Sequence, residues 1–279
     1  MIWRKFVNTV MFSLTAICTL ITVSVLFFIL GTLVYHGWRS LSWHFFTNLP
    51  APVGETGGGM ANAIIGTGKL LLLTVLMGVP VGFIGGVYLS EFGGAAFASV
   101  IRYMADLLNG VPSIVIGILA YAIVVVLLKL HFSTFAGGVA LSLMVIPITL
   151  RSTEQFLRAV PQTLREGALA LGASKSRTVV TVVIPAAMRG ILTGTMLGVA
   201  RVAGETAPLL FTAFGNQYWS PGWFQPTAAL PMTVYTYALA PYEDWHRQAW
   251  AAGLVLLSMM LVANIAARLI LSPKGAQRA

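Results

Sequence analysis

Thr163-Leu164-Arg165-Glu166-Gly167-Ala168-Leu169-Ala170-Leu171-Gly172, followed nine residues later by Val182-Val183-Ile184-Pro185, lies in the most basic interruption of an otherwise apolar chain. Thr163 with Glu166 three positions on has the spacing of a capping box, and Gly172 suits the left-handed residue that closes a helix. The stretch therefore predicts a short helix from Thr163 to Gly172 and a second from about Lys175 to Ile184. The two make a protruding elbow, with Leu164, Ala168 and Leu171 available to fill a groove on another protein. The same pattern also suits an amphipathic loop lying on lipid.

The rest of the chain sets the elbow in a membrane. Hydrophobic residues make up 57% of the 279 positions and charged ones 9%, with a mean hydropathy of +0.85. Soluble domains carry about a quarter charged residues, so that class is excluded. The length leaves room for about six spans of ~20 residues. A net charge of +9 would suggest nucleic acid in a soluble protein, but the basic residues here are distributed by loop. The single cysteine, Cys18, sits in an apolar run, which excludes an intrachain disulfide and a cysteine-rich metal site. The expected fold is all-α: a polytopic membrane helix bundle forming one domain over residues 1–279, with its core at about 62–271 and the cytoplasmic loop at about 151–187.

Apolar runs place the spans at about 10–34, 70–90, 109–128, 135–150, 188–214 and 249–271. Between them, 35–61 and 215–247 are long aromatic loops. Arg102 and Asp106 are four apart and are expected to pair on one helical face. Gly66-Thr67-Gly68-Lys69-Leu70 is not a phosphate loop, because residue 63 is alanine and Leu70 stands where serine or threonine is needed. No ATP site is expected in this chain. The N-terminus, the 91–106 turn, the elbow region and the C-terminal end hold twelve of the seventeen Lys and Arg, against Arg39, Lys69, Lys129 and Arg247 on the other side. Positive charge gathers on the cytoplasmic side, so both termini and the elbow are expected there, with Arg39 and Lys69 as interfacial anchors.

Two ionisable residues fall inside span 5. Arg201 and Glu205 lie roughly 20 and 26 Å from its cytoplasmic start near residue 188, at ~1.5 Å per residue. A charge at that depth costs about 2.5 to 3.5 kcal/mol on insertion scales, so it should face protein or water. At about 100° per residue Gly190, Gly194, Gly198, Arg201 and Glu205 fall within one arc of roughly 80°, so both charges are expected on the face that meets other helices. The three glycines form a small-residue ridge for close helix packing. Arg201 offers a planar fork suited to a tetrahedral oxyanion. Glu205 can hold Arg201 in place and accept a proton-bearing oxygen of the substrate. A helix-packing ion pair without substrate contact is the alternative. His36, His44, His131 and His246 all fall in or beside external loops, so neither catalytic residues nor a metal site are expected.

Two resemblances join these readings. Glu166-Gly167-Ala168, three residues, Gly172, nine residues and Val182-Val183-Ile184-Pro185 match in spacing the cytoplasmic loop of ABC-transporter permeases, whose pattern is Glu-Ala-Ala, Gly, Ile-x-Leu-Pro. Gly167, Val182 and Ile184 depart from it. Arg201-Val202-Ala203-Gly204-Glu205-Thr206-Ala207-Pro208-Leu209-Leu210 resembles the phosphate-uptake permeases, the PstA/PstC group, and its Ala-Pro-Leu-Leu continuation is similar to the PstA type. Arg151-Ser152-Thr153-Glu154 and Gly110-Val111-Pro112-Ser113 fit the same group.

The resemblance implies a type I importer permease of the bacterial inner membrane that carries phosphate inward by alternating access. It implies a sister permease (PstC-like), an ATPase dimer (PstB-like) holding ATP and magnesium, and an external phosphate-binding protein (PstS-like). It also implies a substrate path through Arg201, Glu205, Arg151 and Glu154, coupled through Glu166, Gly167, Ala168, Gly172 and Pro185. A permease for another oxyanion such as sulfate or molybdate, and an intramembrane enzyme, are the competing readings.

Overall fold

The computed structural model describes residues 2–52, 55 and 57–270. The expected end of span 6 at Leu271 and the basic residues Lys274 and Arg278 lie outside them. Twelve helices follow in order: α1 (Ile2–Ser40), α2 (Trp43–Thr47), α3 (Ala61–Glu91), α4 (Ala95–Gly110), α5 (Ser113–Ala120), α6 (Thr134–Arg158), α7 (Gln162–Ala170), α8 (Lys175–Thr178), α9 (Ile184–Ala203), α10 (Ala207–Thr212), α11 (Leu230–Leu239) and α12 (Glu243–Ile270). Wide π-helical turns extend α5 through Tyr121–Leu127 and join α8 to α9 through Val179–Val183. Among the described residues no strand forms, and one bridge pairs Phe214 with Thr227.

Helix α6 is the centre of the bundle. In its most apolar stretch 67% of residues are buried, against 28% in α3 and 0% in α1. Two glycine ridges make that burial possible. On one side Gly78, Gly82 and Gly86 of α3 lie against Ser142, Thr149 and Leu150 of α6. On the other, Gly190, Gly194 and Gly198 of α9 face Phe156, Ser152 and Ile148. Lipid is as apolar as leucine and drives no association by itself, so close backbone approach through small residues supplies the packing. Gly86→Leu should therefore force α3 away from α6, because even a Cβ there would meet the Leu150 carbonyl at 2.6 Å. Overpacking of this kind costs about 1 to 3 kcal/mol or more, and thermal unfolding in detergent should show a lower midpoint. Gly68→Ala, which meets nothing within 4 Å, should not lower it.

Several expected boundaries move, each for a local reason. The third span does not run straight from Asn109 to Leu128: α4 and the α5 segment meet at 104°. Pro112 drives Val111 out of the helical region, to φ −68° and ψ 132°. The 15-residue piece Ser113–Leu127 reaches only about 22 Å at ~1.5 Å per residue. Among the described residues, five helices are thus long and apolar enough to cross a membrane, or six if the bent pair counts as one.

Span 4 runs on to Arg158 and carries Arg151 and Glu154 within α6. Span 5 begins far earlier than expected, since α8, the π turn and α9 form one continuous rod over Lys175–Ala203. Pro185 has no N–H to donate, and the wide turn just before it accepts the ring without breaking the rod. The aromatic loop 215–247 contains α11 and the start of α12.

The loop is strapped to the bundle by long-range bonds. Lys69 Nζ donates to the Ser220 and Pro221 carbonyls, so it tethers the loop rather than anchoring at the interface. Asn62 Nδ2 donates to the Asn216 carbonyl at 2.7 Å, and the Leu230 N–H to Thr67 Oγ1 at 2.8 Å.

Candidate functional site

The elbow forms with a different start from the one expected. Its first helix begins at Gln162 behind Pro161, and Thr163 makes no cap. Proline fixes φ near the value the chain needs before a helix and takes over the boundary. The end is as the glycine suggests: Gly172 has φ +84°. Its N–H donates to the Leu169 carbonyl at 2.9 Å, and the Ala173 N–H to the Ala168 carbonyl at 3.2 Å, which is a Schellman closure. Ser174 then caps α8 through the Arg177 N–H. Leu164 and Leu169 are half exposed, and Leu171 at the corner is 91% exposed.

Two residues tie this elbow to the membrane helices. Arg165 Nη1 pairs with Glu91 Oε2 at the end of α3, and its Nη2 donates to the Leu157 carbonyl of α6 at 2.7 Å. Lys175 Nζ stands 5.2 Å from the centre of the Phe92 ring. A shift of the elbow therefore pulls on the ends of both α3 and α6. These residues sit 74 positions apart in the case of Arg165 and Glu91, so no spacing rule could reveal them.

Arg102 and Asp106 do not pair with each other. Both reach across to α6, where Glu154 accepts from Arg102 Nε at 2.6 Å, Arg151 Nη1 at 2.9 Å and Arg158 Nη2 at 3.0 Å. Arg151 Nε also meets Asp106 at 3.0 Å. Glu154 is 1% exposed. A buried carboxylate needs such neighbours, and three guanidinium groups satisfy it more fully than one partner four residues away.

The span-5 charges are separated from this cluster and from each other. Helix α9 stops at Ala203, because Pro208 would press its ring on the Gly204 carbonyl and offers it no N–H. Glu205 consequently sits in the break before α10, beyond the regular turns of α9. Among the described residues neither takes part in an ion pair.

Both residues instead line one cavity of about 220 Å³, together with Asn109 and Ser113 at the α4–α5 bend and Met144 and Ile148 of α6. Gly117 lets α5 approach α10 closely: a Cβ there would meet Pro208 Cα at 2.5 Å. The cavity combines one guanidinium, one carboxylate, an amide, a hydroxyl and the start of a helix. Such a set can hold a small oxyanion that still carries a proton. Arg151 and Glu154 do not line it. Asn109 and Ser113 do line it, although the sequence marks them only as the start of an apolar run. The Pro112 beside them was the signal that a bend would present them.

Residues 78–272 match the family described as binding-protein-dependent transport system inner membrane component. The chain is 42% identical over 273 residues to the phosphate transport system permease protein PstA of Yersinia pestis, covering 98% of this chain and 92% of that one. It is 42% identical over 274 residues to the PstA of Haemophilus influenzae, covering 98% and 96%. A probable PstA of Methanocaldococcus jannaschii is 34% identical over 244 residues, with 87% and 86% covered. Among solved structures, an inward-facing conformation of the MetNI methionine ABC transporter superposes with a TM-score of 0.58 at 18% identity, covering 76% of this chain and 93% of that chain. At that identity the likeness speaks for the fold alone.

Proposed function

Because the chain belongs to the family of binding-protein-dependent transport system inner membrane components, and within it to the PstA group, we propose that it is the permease half that carries inorganic phosphate across the inner membrane by alternating access. The observation that carries this reading is the cavity at the α9 break, which Arg201 lines without an ion-pair partner among the described residues. A lone cation there attracts a divalent or monovalent phosphate, and Glu205 in the same cavity keeps the attraction shallow enough for release. This chain encloses the cavity only in part, so a sister permease of PstC type would complete it.

The remaining partners follow from the same reading. The elbow, with Leu171 outermost, seats on a PstB-like ATPase dimer that holds the ATP and magnesium. The aromatic loops on the opposite side receive a PstS-like binding protein. Both termini are cytoplasmic, in keeping with twelve of seventeen basic residues on that side. Arg102, Asp106, Arg151, Glu154 and Arg158 join α4 to α6 between elbow and cavity, so they transmit motion rather than bind substrate.

Two experiments test the reading. The assembled importer in vesicles, with ATP at the elbow side and binding protein at the loop side, should accumulate labelled phosphate, and excess sulfate should not suppress it. Sulfate uptake in place of phosphate would favour the other-oxyanion permease. Gly172→Val places a β-branched residue at φ +84°, which costs about 1 to 2 kcal/mol in the left-handed region. It should leave membrane assembly intact and lower phosphate-linked ATP turnover several-fold. Full turnover in Gly172→Val vesicles would rule out a rigid coupling elbow.

A further inference from the structure

At the loop-side end of α1 and α12 the structure holds a polar cup that the transport path does not use. Arg39, Ser40, Ser42, Asp244, Arg247 and Gln248 line a cavity of about 200 Å³. Arg247 pairs with Asp244 at 2.6 Å, while Arg39 lies 4.3 Å over the Tyr35 ring and has no carboxylate partner among the described residues. Two guanidinium groups and one carboxylate leave the cup one positive charge. Ser42 Oγ accepts from the Phe45 N–H, so its own hydrogen is free to donate. Gln248 is 8% exposed and its Nε2 donates to Asp244, but its Oε1 has no partner among the described residues. A buried acceptor without a donor is costly, so this amide is set to receive an O–H or N–H.

Directly beneath the cup lies a groove of about 540 Å³ whose walls include Val34, Trp38, Leu41, Val255, Met259 and Val262. At about 100° per residue, Asp244, Gln248, Val255, Met259 and Val262 fall within one stripe of about 60° on α12. Cup and groove are therefore stacked along the same helix face. Gln248 to Val262 spans about 21 Å at ~1.5 Å per residue, against a leaflet of about 15 Å. Trp38 and Trp43, 73% and 77% exposed, mark the interface level beside the cup.

We propose that this is a binding site for one anionic, hydroxyl-bearing glycerophospholipid of the leaflet next to the aromatic loops. Its phosphodiester sits between Arg39 and Arg247, its headgroup hydroxyl donates to Gln248 Oε1, and an acyl chain fills the groove. The single negative charge of a phosphodiester matches the cup, and the apolar groove requires a tail that free phosphate lacks. The lipid also clips α1 to α12, which meet closely where Gly37 faces Leu254 and Trp250.

The assembled importer would be reconstituted in vesicles of equal parts phosphatidylglycerol and phosphatidylcholine, extracted, and examined by native mass spectrometry for retained lipid. Wild type should retain phosphatidylglycerol in preference to phosphatidylcholine, and excess inorganic phosphate should not displace it. Arg39→Gln with Arg247→Gln should retain about twenty-five-fold less, since each interfacial arginine strengthens anionic-lipid binding about fivefold. Arg39→Lys with Arg247→Lys should retain nearly as much as wild type, which separates charge from folding. Ser258→Phe, at an exposed position on the groove wall, should also lose the lipid while leaving the cup intact. Undiminished retention in the double glutamine variant, or displacement by inorganic phosphate, would overturn the lipid assignment. The latter result would make the cup a station for the free anion.

Discussion

Arg201→Gln is expected to lose phosphate uptake on the order of a hundredfold or more while inserting and assembling normally. The magnitude follows from removing the charged partner of a desolvated anion, which costs about 2 to 5 kcal/mol. Normal assembly follows from the geometry: Arg201 makes no ion pair among the described residues, and the helix it sits on is held by Gly190, Gly194 and Gly198 against α6. Removing the arginine therefore strands no buried partner. Adding Glu205→Gln should not restore uptake, because no structural pair exists to be rebalanced. Labelled phosphate uptake, normalised to protein in the membrane, separates the outcomes. Recovery in the double variant would mean that Arg201 and Glu205 act only as a neutralising pair.

Glu154→Gln should be the most destabilising single exchange among the charged residues. It leaves Arg102, Arg151 and Arg158 converging on a neutral group that is 1% exposed. Removing one partner of a buried ionic group costs about 3 to 5 kcal/mol; partial exposure of the arginines and the Arg151–Asp106 contact place this case near 3 kcal/mol. Denaturant unfolding of the purified chain should show the loss. A second exchange, Arg102→Gln in the same chain, should recover part of it. Wild-type stability in Glu154→Gln would show that the cluster is a solvated surface network instead.

What the chain reveals by itself is what local chemistry controls. Span composition, the glycine ridges, the left-handed corner at Gly172 and the charge asymmetry are all properties of residues and their near neighbours, and they were legible. The elbow's start was misread because Thr163 and Glu166 have the right spacing but Pro161 takes the boundary first. The expectation of one continuous helix through Arg201 and Glu205 failed because Pro208 ends it, yet the two still line one cavity beside Ile148, which Gly198 faces. The Arg102–Asp106 pair failed because an i,i+4 contact worth a few tenths of a kcal/mol loses to a buried carboxylate on another helix. Arg165 with Glu91, and Asn109 and Ser113 with Arg201, meet only through the fold, and no periodicity connects them.

The central claim, that the α9 break lines the anion path, is tested most directly by locating the anion. Arsenate has the geometry and protonation of phosphate and a heavier central atom, so crystals of the assembled importer soaked with it can be read by anomalous scattering. The account predicts an arsenic peak in the cavity between Arg201, Glu205, Asn109 and Ser113, within hydrogen-bonding reach of the Arg201 guanidinium. A peak elsewhere along the path, with that cavity empty, would contradict it.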